Sequence, residues 1–235
     1  MKCMLLNTPT CSGVHSMKQA AALLLLVFLS FSSYNSNARP KSRPLPGLRS
    51  GQRGLTKEER TFAIQFLKET ESGVFNAVKD LNEAQLTFKP AAGKWSIEEC
   101  VKHIAAAEET LWKMVEAGLT KPVNPEKRAA LLFTDQQLIK AVEDRSKKSK
   151  TFAALEPAHS SYKTLAEALA AFKENREKRI RFIQNTKADL RNHVLITPIG
   201  TYDAYQFILL ISAHSNRHTQ QIEEVKASTD FPKQA

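Results

Sequence analysis

Two histidines near the C-terminus have the spacing with which a helix can offer two ligands to one metal ion. His214 and His218 lie four residues apart in the run FILLISAHSNRHTQQIEEV, residues 207–225. Side chains four apart lie one above the other on a helix, so both rings can approach an ion at about 2 Å. Both also fall on the apolar stripe of this run, the face that a helix normally turns toward a core. The sequence therefore places two imidazoles where Leu and Ile are usual.

His103 is the candidate for a third ligand. It lies in the segment SIEECVKHIAAAEETLW, residues 96–112, at the edge of the apolar stripe of that segment. If this segment and the last one are helices that face each other, three imidazoles meet in the interior. A buried polar group without a partner costs about 1–3 kcal/mol, so three such groups need a joint explanation. Metal ligation supplies one, because neutral imidazole is a good ligand for divalent transition metals. The alternative is three ordinary core histidines, each hydrogen-bonded to a carbonyl group.

Other catalytic or metal-binding arrangements fit the sequence less well. A dinuclear carboxylate site in a bundle needs Glu-x-x-His pairs, whereas Glu99 and His103 are four residues apart and residues 207–222 contain no acidic residue. The sequence has no His-Glu-x-x-His, no glycine-rich phosphate loop and no serine-centred elbow. His159 is interpreted as a solvated loop residue, and His193 is a minor candidate ligand.

Four long segments must supply the helices that position these residues. Three of them begin with a hydroxyl residue followed three positions later by Glu, at Thr56, Ser96 and Thr164, which is the pattern of a capping box. The apolar period then predicts four helices, which cover about 57–81, Ser96 to near Gly118, Thr164 to about Asn185, and Gly200-Thr201 to about Ala227. Strand signals are almost absent. The sequence therefore predicts an all-α four-helix bundle, a fold that builds metal sites from side chains in its core.

A long insertion separates the second and third predicted helices. Residues 118–163 have a weaker apolar pattern, with a short helix predicted from Thr134 through Ala141–Asp144. A connection of this length inside a compact domain is usually functional or mobile. We interpret the insertion as a partly helical lid over one end of the bundle.

Aromatic and sulfur side chains on the predicted helices fit a packed core. Cys100 lies on the apolar side of its segment and is interpreted as a small buried hydrophobe rather than a reactive thiol. Helical spacing also predicts core positions for Phe62, Phe66, Phe75, Phe172, Phe182 and Phe207.

The positive charge of the chain is concentrated near its N-terminus. The 235 residues include 34 basic and 24 acidic side chains, a formal net charge of +10. Residues 1–56 contain seven of the basic residues and no acidic one, which leaves a net charge of only +3 for residues 57–235. A nucleic-acid-binding surface would place basic residues on a folded element. The distribution therefore argues against a nucleic-acid partner.

The N-terminal region has the three parts of a secretory signal peptide. A lysine at 18 precedes an apolar run over 20–31, and Ser36-Asn37-Ala38 offers small residues for cleavage. Met17 is a possible true start, and an uncleaved anchor is the alternative, although the run is short for a membrane span. We therefore expect a signal peptide over 1–38, a basic Pro- and Gly-rich disordered linker over 39–55, a bundle over 56–228 and a tail over 229–235. This organisation predicts a periplasmic or secreted protein without stable membrane association after cleavage.

The histidine segments together resemble the DinB/YfiT-like superfamily, a bacterial family of metal-dependent enzymes. The resemblance rests on Trp95-Ser96 before the second helix, a single His within that helix, and a closing His-x-x-x-His followed by Gln221-Ile222. It implies a four-helix bundle with one divalent metal ion (Zn, Ni, Fe or Mn) held at one end of the core. By position, the ligands are His103, His214 and His218.

The resemblance also implies an activity, and two residues become candidates for the site by their positions near the histidines. Some members are thiol-dependent S-transferases or isomerases, and others have no assigned activity. Gln221 is a candidate to orient a ligand or substrate. Glu108 is a candidate proton-transfer group, and the alternative for it is a surface ion pair with Lys113 or Arg217.

We therefore expect an exported metal-dependent hydrolase or group (S-)transferase that acts on a small-molecule substrate. Export departs from the cytoplasmic setting of the thiol-dependent members and puts a thiol cosubstrate in doubt. The alternative is a non-catalytic bundle that binds a metal or small ligand, in a stress response or by forming a homodimer.

Overall fold

The computed structural model describes residues 54–147 and 150–233. The predicted signal peptide lies outside these residues, as do all but the last two residues of the predicted linker and the last two of the tail. No helix in the described part of the chain is long and apolar enough to cross a membrane.

Six α-helices and one β-hairpin make up the fold of the described residues. The elements in chain order are α1 (Lys57–Val78), α2 (Glu83–Thr87), α3 (Ile97–Leu119), α4 (Asp135–Glu143), α5 (Leu165–Asn185), β1 (Val194–Thr197), β2 (Gly200–Asp203) and α6 (Ala204–Lys226). The long helices α1, α3, α5 and α6 form the predicted four-helix bundle. Both hydrogen bonds of the predicted capping boxes are formed at Thr56, Ser96 and Thr164. Where α6 begins, the side chain of Asp203 caps the helix by accepting a hydrogen bond from the backbone N–H of Gln206.

The first and last helices of the bundle run parallel to each other. Near their starts, the Tyr205 hydroxyl of α6 donates to the Glu59 carbonyl of α1 at 2.8 Å. Near their ends, the Lys226 ammonium donates to the Ala77 carbonyl at 3.3 Å. The two helices therefore lie side by side along their whole length.

The two middle helices, α3 and α5, also run parallel to each other. Near their starts, Lys102 of α3 donates to the Lys163 carbonyl just before α5, and further along the rings of Trp112 and Phe182 lie 5.1 Å apart. Consecutive parallel helices need a connection that travels back along the bundle. This requirement explains the length of the connection, residues 120–164. The connection contains α4 and short 3₁₀ turns at Pro125–Ala130, Ala153–Leu155 and Pro157–His159.

The helix that carries His214 and His218 is the centre of the packing. Residues 204–213 of α6 are all buried, and the helix packs against α1, α3 and α4. Such a helix is apolar on nearly all sides over this stretch, unlike a surface helix with one apolar stripe. Among the predicted core phenylalanines, Phe172 and Phe207 are fully buried.

A polar layer divides the apolar core into two clusters. One cluster lies toward the hairpin and includes Leu67, Leu111, Ile183 and Ile208, and the other includes Val74, Ile104, Phe172 and Ile222. Between them, the buried polar layer consists of Thr70, Glu108, Arg176, Ser212 and Ser215. Each bundle helix contributes at least one side chain to this layer.

The structure differs from the sequence-based predictions in three places. The hairpin was not predicted, because four-residue strands are too short to show an alternating pattern. Its β1 strand depends on a distant residue, Asn124, whose amide bonds to the N–H and C=O of Val194. Phe62 is not in the core but 46% exposed, and it stacks on Phe66. Helix α1 ends at Val78 rather than at 81, and the short helix α2 follows it.

Candidate metal centre

The fold brings the three predicted histidine ligands together. His103 extends from α3, and His214 and His218 extend from α6. Their Nε2 atoms approach each other, at 3.3 Å between His103 and His214 and 3.2 Å between His218 and His214. One ligand atom from each ring lies within 4.8 Å of the other two. Nitrogen ligands at about 2.1 Å from one ion lie roughly 3.0–3.4 Å from one another, so the arrangement fits a single metal ion.

Hydrogen bonds to the outer nitrogens orient two of the rings. The Nδ1 of His103 lies 2.8 Å from the Leu155 carbonyl oxygen, and the Nδ1 of His218 lies 2.9 Å from the Gln221 side-chain oxygen. Because both oxygens can only accept, each Nδ1 carries the proton. Each Nε2 therefore presents its lone pair to the point between the three rings, which we call the shared point. Two lone pairs and a third Nε2 at this spacing are poorly satisfied by one another, whereas a cation satisfies all three.

Burial keeps the three imidazoles in the form that a metal requires. Desolvation lowers the pKa of His103, and it lowers the pKa values of His214 and His218 well below the ordinary value for histidine. The neighbouring rings lower the pKa values of His214 and His218 further. His103 and His218 are nearly inaccessible, whereas His214 is half-buried. The rings are therefore neutral at pH 7, as metal ligation demands.

Trp95 packs directly on the histidine cluster. Its ring lies 4.8 Å from that of His103 and stacks on that of His218 at 5.9 Å. In the sequence, Trp95 is only a mark of the family resemblance and suggests no role. The Leu155 carbonyl was not predictable, because a backbone acceptor leaves no trace in the residue type.

Glu108 does not form a surface ion pair with Lys113 or Arg217, which was the alternative expectation for it. Its carboxylate is buried and accepts from Arg176 Nε at 2.8 Å. Lys113 instead pairs with Glu109, and Arg217 donates to backbone carbonyl groups of residues 142–147. Burial raises the pKa of Glu108, and the charge of Arg176 opposes that shift. Its predicted role in proton transfer stays a prediction.

Arg176 joins the layer of polar groups beside the histidines. Its guanidinium donates to the Leu67 carbonyl at 3.2 Å and, through its Nη1 and Nη2 groups, to the hydroxyls of Thr70, Ser212 and Ser215. Ser215 directly follows His214 in α6. This contact was not predictable, because Arg176 belongs to the run KENREKR, which has the composition of an exposed helix face.

Two further histidines and one cleft in the described part of the chain lie away from this cluster. His193 bonds to the carbonyl oxygens of Asp189 and Lys121, and His159 is exposed with its Nδ1 near the Ala153 carbonyl. A cleft of about 300 Å³ lies between the end of α3 and β1, and its lining includes His193 but none of the three clustered histidines. Neither feature contributes to the candidate metal centre.

Comparison with known proteins identifies the family. A family profile described as the DinB superfamily matches residues 67–222. The chain is 26% identical over 164 residues to the uncharacterized protein YuaE of Bacillus subtilis (strain 168), which covers 69% of this chain and 96% of YuaE. The structure of this chain is similar to that of YfiT from Bacillus subtilis, with a TM-score of 0.52 and 16% identity, over 77% of this chain and 93% of YfiT. YfiT is described as "a probable metal-dependent hydrolase with an unusual four-helix bundle topology". Since the matched region covers most of the chain and all three clustered histidines, this chain belongs to the DinB superfamily.

Proposed function

We propose that this protein binds one divalent metal ion through His103, His214 and His218 and uses it in hydrolysis or group transfer on a small molecule. The observation that carries the proposal is the approach of the three Nε2 atoms to within 3.2–3.3 Å along two of their three pairs. The description of YfiT as a probable metal-dependent hydrolase supports it by analogy of fold.

A catalytic role fits three ligands better than a structural role does. Structural zinc is usually closed by four protein ligands, whereas catalytic sites keep a position for water or substrate. A divalent ion here would act as a Lewis acid and lower the pKa of a coordinated water or thiol.

The residues around the histidines prepare the site for that ion. Gln221 and the Leu155 carbonyl hold the rings of His218 and His103 with their lone pairs facing inward. Trp95 covers two of the rings and excludes water from them. Glu108, buried beside Arg176, is the proposed proton-transfer group, and Zn, Ni, Fe and Mn are all chemically suitable for three imidazole ligands.

Elemental analysis of the protein, purified without a metal-binding tag, tests the proposal. We expect about one equivalent of Zn, Ni, Fe or Mn in the parent protein and almost none in the variant His214→Ala/His218→Ala. The variant His193→Ala, which removes an imidazole outside the cluster, should keep the metal. A metal-free parent that cannot be reconstituted would contradict the proposal. A loaded protein that turns over neither ester, amide nor thiol-transfer substrates would instead support a non-catalytic metal-binding bundle.

We further propose that the protein is exported and that residues 1–38 are its signal peptide. The support is the sequence pattern of an apolar run that ends at small residues. N-terminal sequencing of the protein recovered outside the cytoplasm should begin at Arg39. A full-length cytoplasmic protein, or one retained in the membrane through the apolar run, would contradict this.

A further inference from the structure

Part of the insertion is fastened to the same turns of α6 that carry two of the histidines. We call residues 142–147, which run from the end of α4 into the following loop, the strap. Arg217 lies between the two ligands of α6, and its guanidinium donates to the carbonyl oxygens of Val142, Asp144 and Lys147. The end of a helix leaves carbonyl groups without intrahelical partners, and a cation is a favourable partner for them. Arg217 therefore anchors the strap at the end of α4.

Two neighbours of Arg217 add to this anchorage. Asn216 donates to the Glu143 carboxylate at 2.8 Å, and Gln220 donates to the Glu143 carbonyl at 3.3 Å. Three side chains from one short stretch of α6 thus hold the strap.

The strap reaches the histidine cluster through Arg145. Arg145 makes a bidentate ion pair with Glu224, with N–O distances of 2.9 and 2.7 Å. Its Nη1 lies 3.5 Å from the side-chain oxygen of Gln221. That same oxygen accepts the proton of His218 Nδ1.

The charge of Arg145 decides which end of the Gln221 amide faces the histidine. An amide can present either its oxygen or its NH₂ group, and the two orientations have nearly the same shape. The NH₂ group would place donors against the donors of Arg145, so the oxygen is favoured on this side. With the oxygen in place, Nδ1 of His218 must donate. In the flipped orientation Nδ1 would accept, and the proton would lie on Nε2, where it blocks the shared point.

We infer that Arg145 is a positioning residue of the three-histidine cluster, which fixes the orientation of Gln221 and thereby the tautomer of His218. The Leu155 carbonyl, further along the same connection, fixes the tautomer of His103. Residues of the insertion thus fix the tautomers of two of the three histidine rings. The effect on metal affinity rests on the proposed function, but the effect on the tautomer does not.

The test measures the tautomer in the metal-free protein and the metal affinity separately. The variants are Arg145→Met, the conservative Arg145→Lys, and the control Arg181→Met, which removes an exposed arginine from α5. Nitrogen-15 NMR at pH 8, with the His218 signals assigned by their loss in His218→Gln, reports which nitrogen carries the proton. We expect the Nδ1–H form in the parent, the control and Arg145→Lys. In Arg145→Met the Nε2–H form should become substantial, and the Kd for Zn²⁺ should rise roughly tenfold.

The possible outcomes separate this inference from the proposed function. An unchanged tautomer and an unchanged Kd for Zn²⁺ in a folded Arg145→Met would overturn the inference. A shifted tautomer in a protein that binds no Zn²⁺ would support the inference and reject the metal site. If Arg145→Met does not fold, Arg217→Met releases the strap without removing Arg145. A His218 tautomer that stays unchanged when trypsin cleaves this released strap faster would also overturn the inference.

Discussion

At the scale of single residues, the most unusual side chain is an arginine at the centre of the bundle. Arg176 is fully buried, and it is paired with Glu108 and bonded to groups on α1 and α6. A buried ion pair contributes little net stability, but removal of one member leaves an uncompensated charge in the core. The two residues must therefore be considered as one unit.

Removing only the acidic member of this pair should be far more damaging than removing both. We expect Glu108→Leu to lower the free energy of unfolding by about 3–5 kcal/mol, because Arg176 remains charged and unpaired. The double variant Glu108→Leu/Arg176→Met should lose less than Glu108→Leu alone, and therefore much less than the two single losses combined. Urea unfolding of the parent, the two single variants and the double variant measures the coupling. Additive losses would show that the pair is not a unit.

Cys100 should be chemically silent in the folded protein. Burial raises the pKa of its thiol from 9.0 to about 12. The unfolded thiol ionises first as the pH rises, so this contribution to stability is complete below pH 9 and is lost at about 1.4 kcal/mol per pH unit above it. Cys100→Ala should remove this component of the alkaline loss in urea unfolding. At pH 8 a thiol reagent should modify Cys100 only in denaturant, with mass spectrometry distinguishing it from Cys3 and Cys11. Modification in native buffer would contradict its burial.

At the scale of elements, the contact between α3 and the hairpin leaves little room for a side chain at Gly118. A Cβ atom on Gly118 would lie 2.8 Å from Leu195 side-chain atoms, whereas a Cβ on Gly73 in α1 would meet nothing closer than 3.8 Å. Alanine is a better helix former than glycine at both sites. Only the packing around each glycine therefore distinguishes the effect of alanine at the two positions.

Alanine should have opposite effects at these two glycines. Gly118→Ala should destabilise the protein by about 1–3 kcal/mol, because it pushes β1 away from α3. Gly73→Ala should stabilise it by about 0.5–1 kcal/mol. Thermal unfolding of both variants measures the difference, and Leu195→Ala should relieve part of the Gly118→Ala loss. A stabilising Gly118→Ala would show that Leu195 moves aside freely.

The elements that sequence predicts best are those with a local cause. Capping residues at Thr56, Ser96 and Thr164 set the starts of three helices, and all three are confirmed. The hairpin was missed because its β1 strand is completed by Asn124, 70 residues away along the chain. Phe62 was misplaced because helical period identifies a face but not how many neighbours cover it.

At the scale of the whole molecule, the histidine cluster depends on how two helices pair. The four-residue spacing of His214 and His218 is visible in the sequence, whereas the approach of His103 depends on α3 and α6 lying antiparallel. The residues alone made that meeting a conditional expectation, and the family resemblance then implied it. The polar layer around Arg176 was not predictable, because nothing in a run of charged residues shows which of them are buried.

A metal ion that bridges α3 and α6 should stabilise the entire fold. An ion that binds only the folded state adds about 2.7 kcal/mol when its free concentration is one hundred times its Kd. We expect Zn²⁺ to raise the Tm of the parent protein in calorimetry and a chelator to reverse the effect. The variant His214→Ala/His218→Ala should show no such rise. An equal rise in both proteins would mean that the ion binds elsewhere.

The central position of α6 has a consequence for how the chain leaves the ribosome. Every other described element precedes α6, yet α1, α3 and α4 all pack against it. Until about residue 226 has been synthesised, α1 and α3 can pack only on α5, and the apolar surfaces that α6 covers stay open to chaperones. A nascent chain that cannot complete its core early stays unfolded, and an unfolded chain can pass through a secretion channel. The chain order of the helices thus suits translocation before folding, which is the order of events that the proposed export requires.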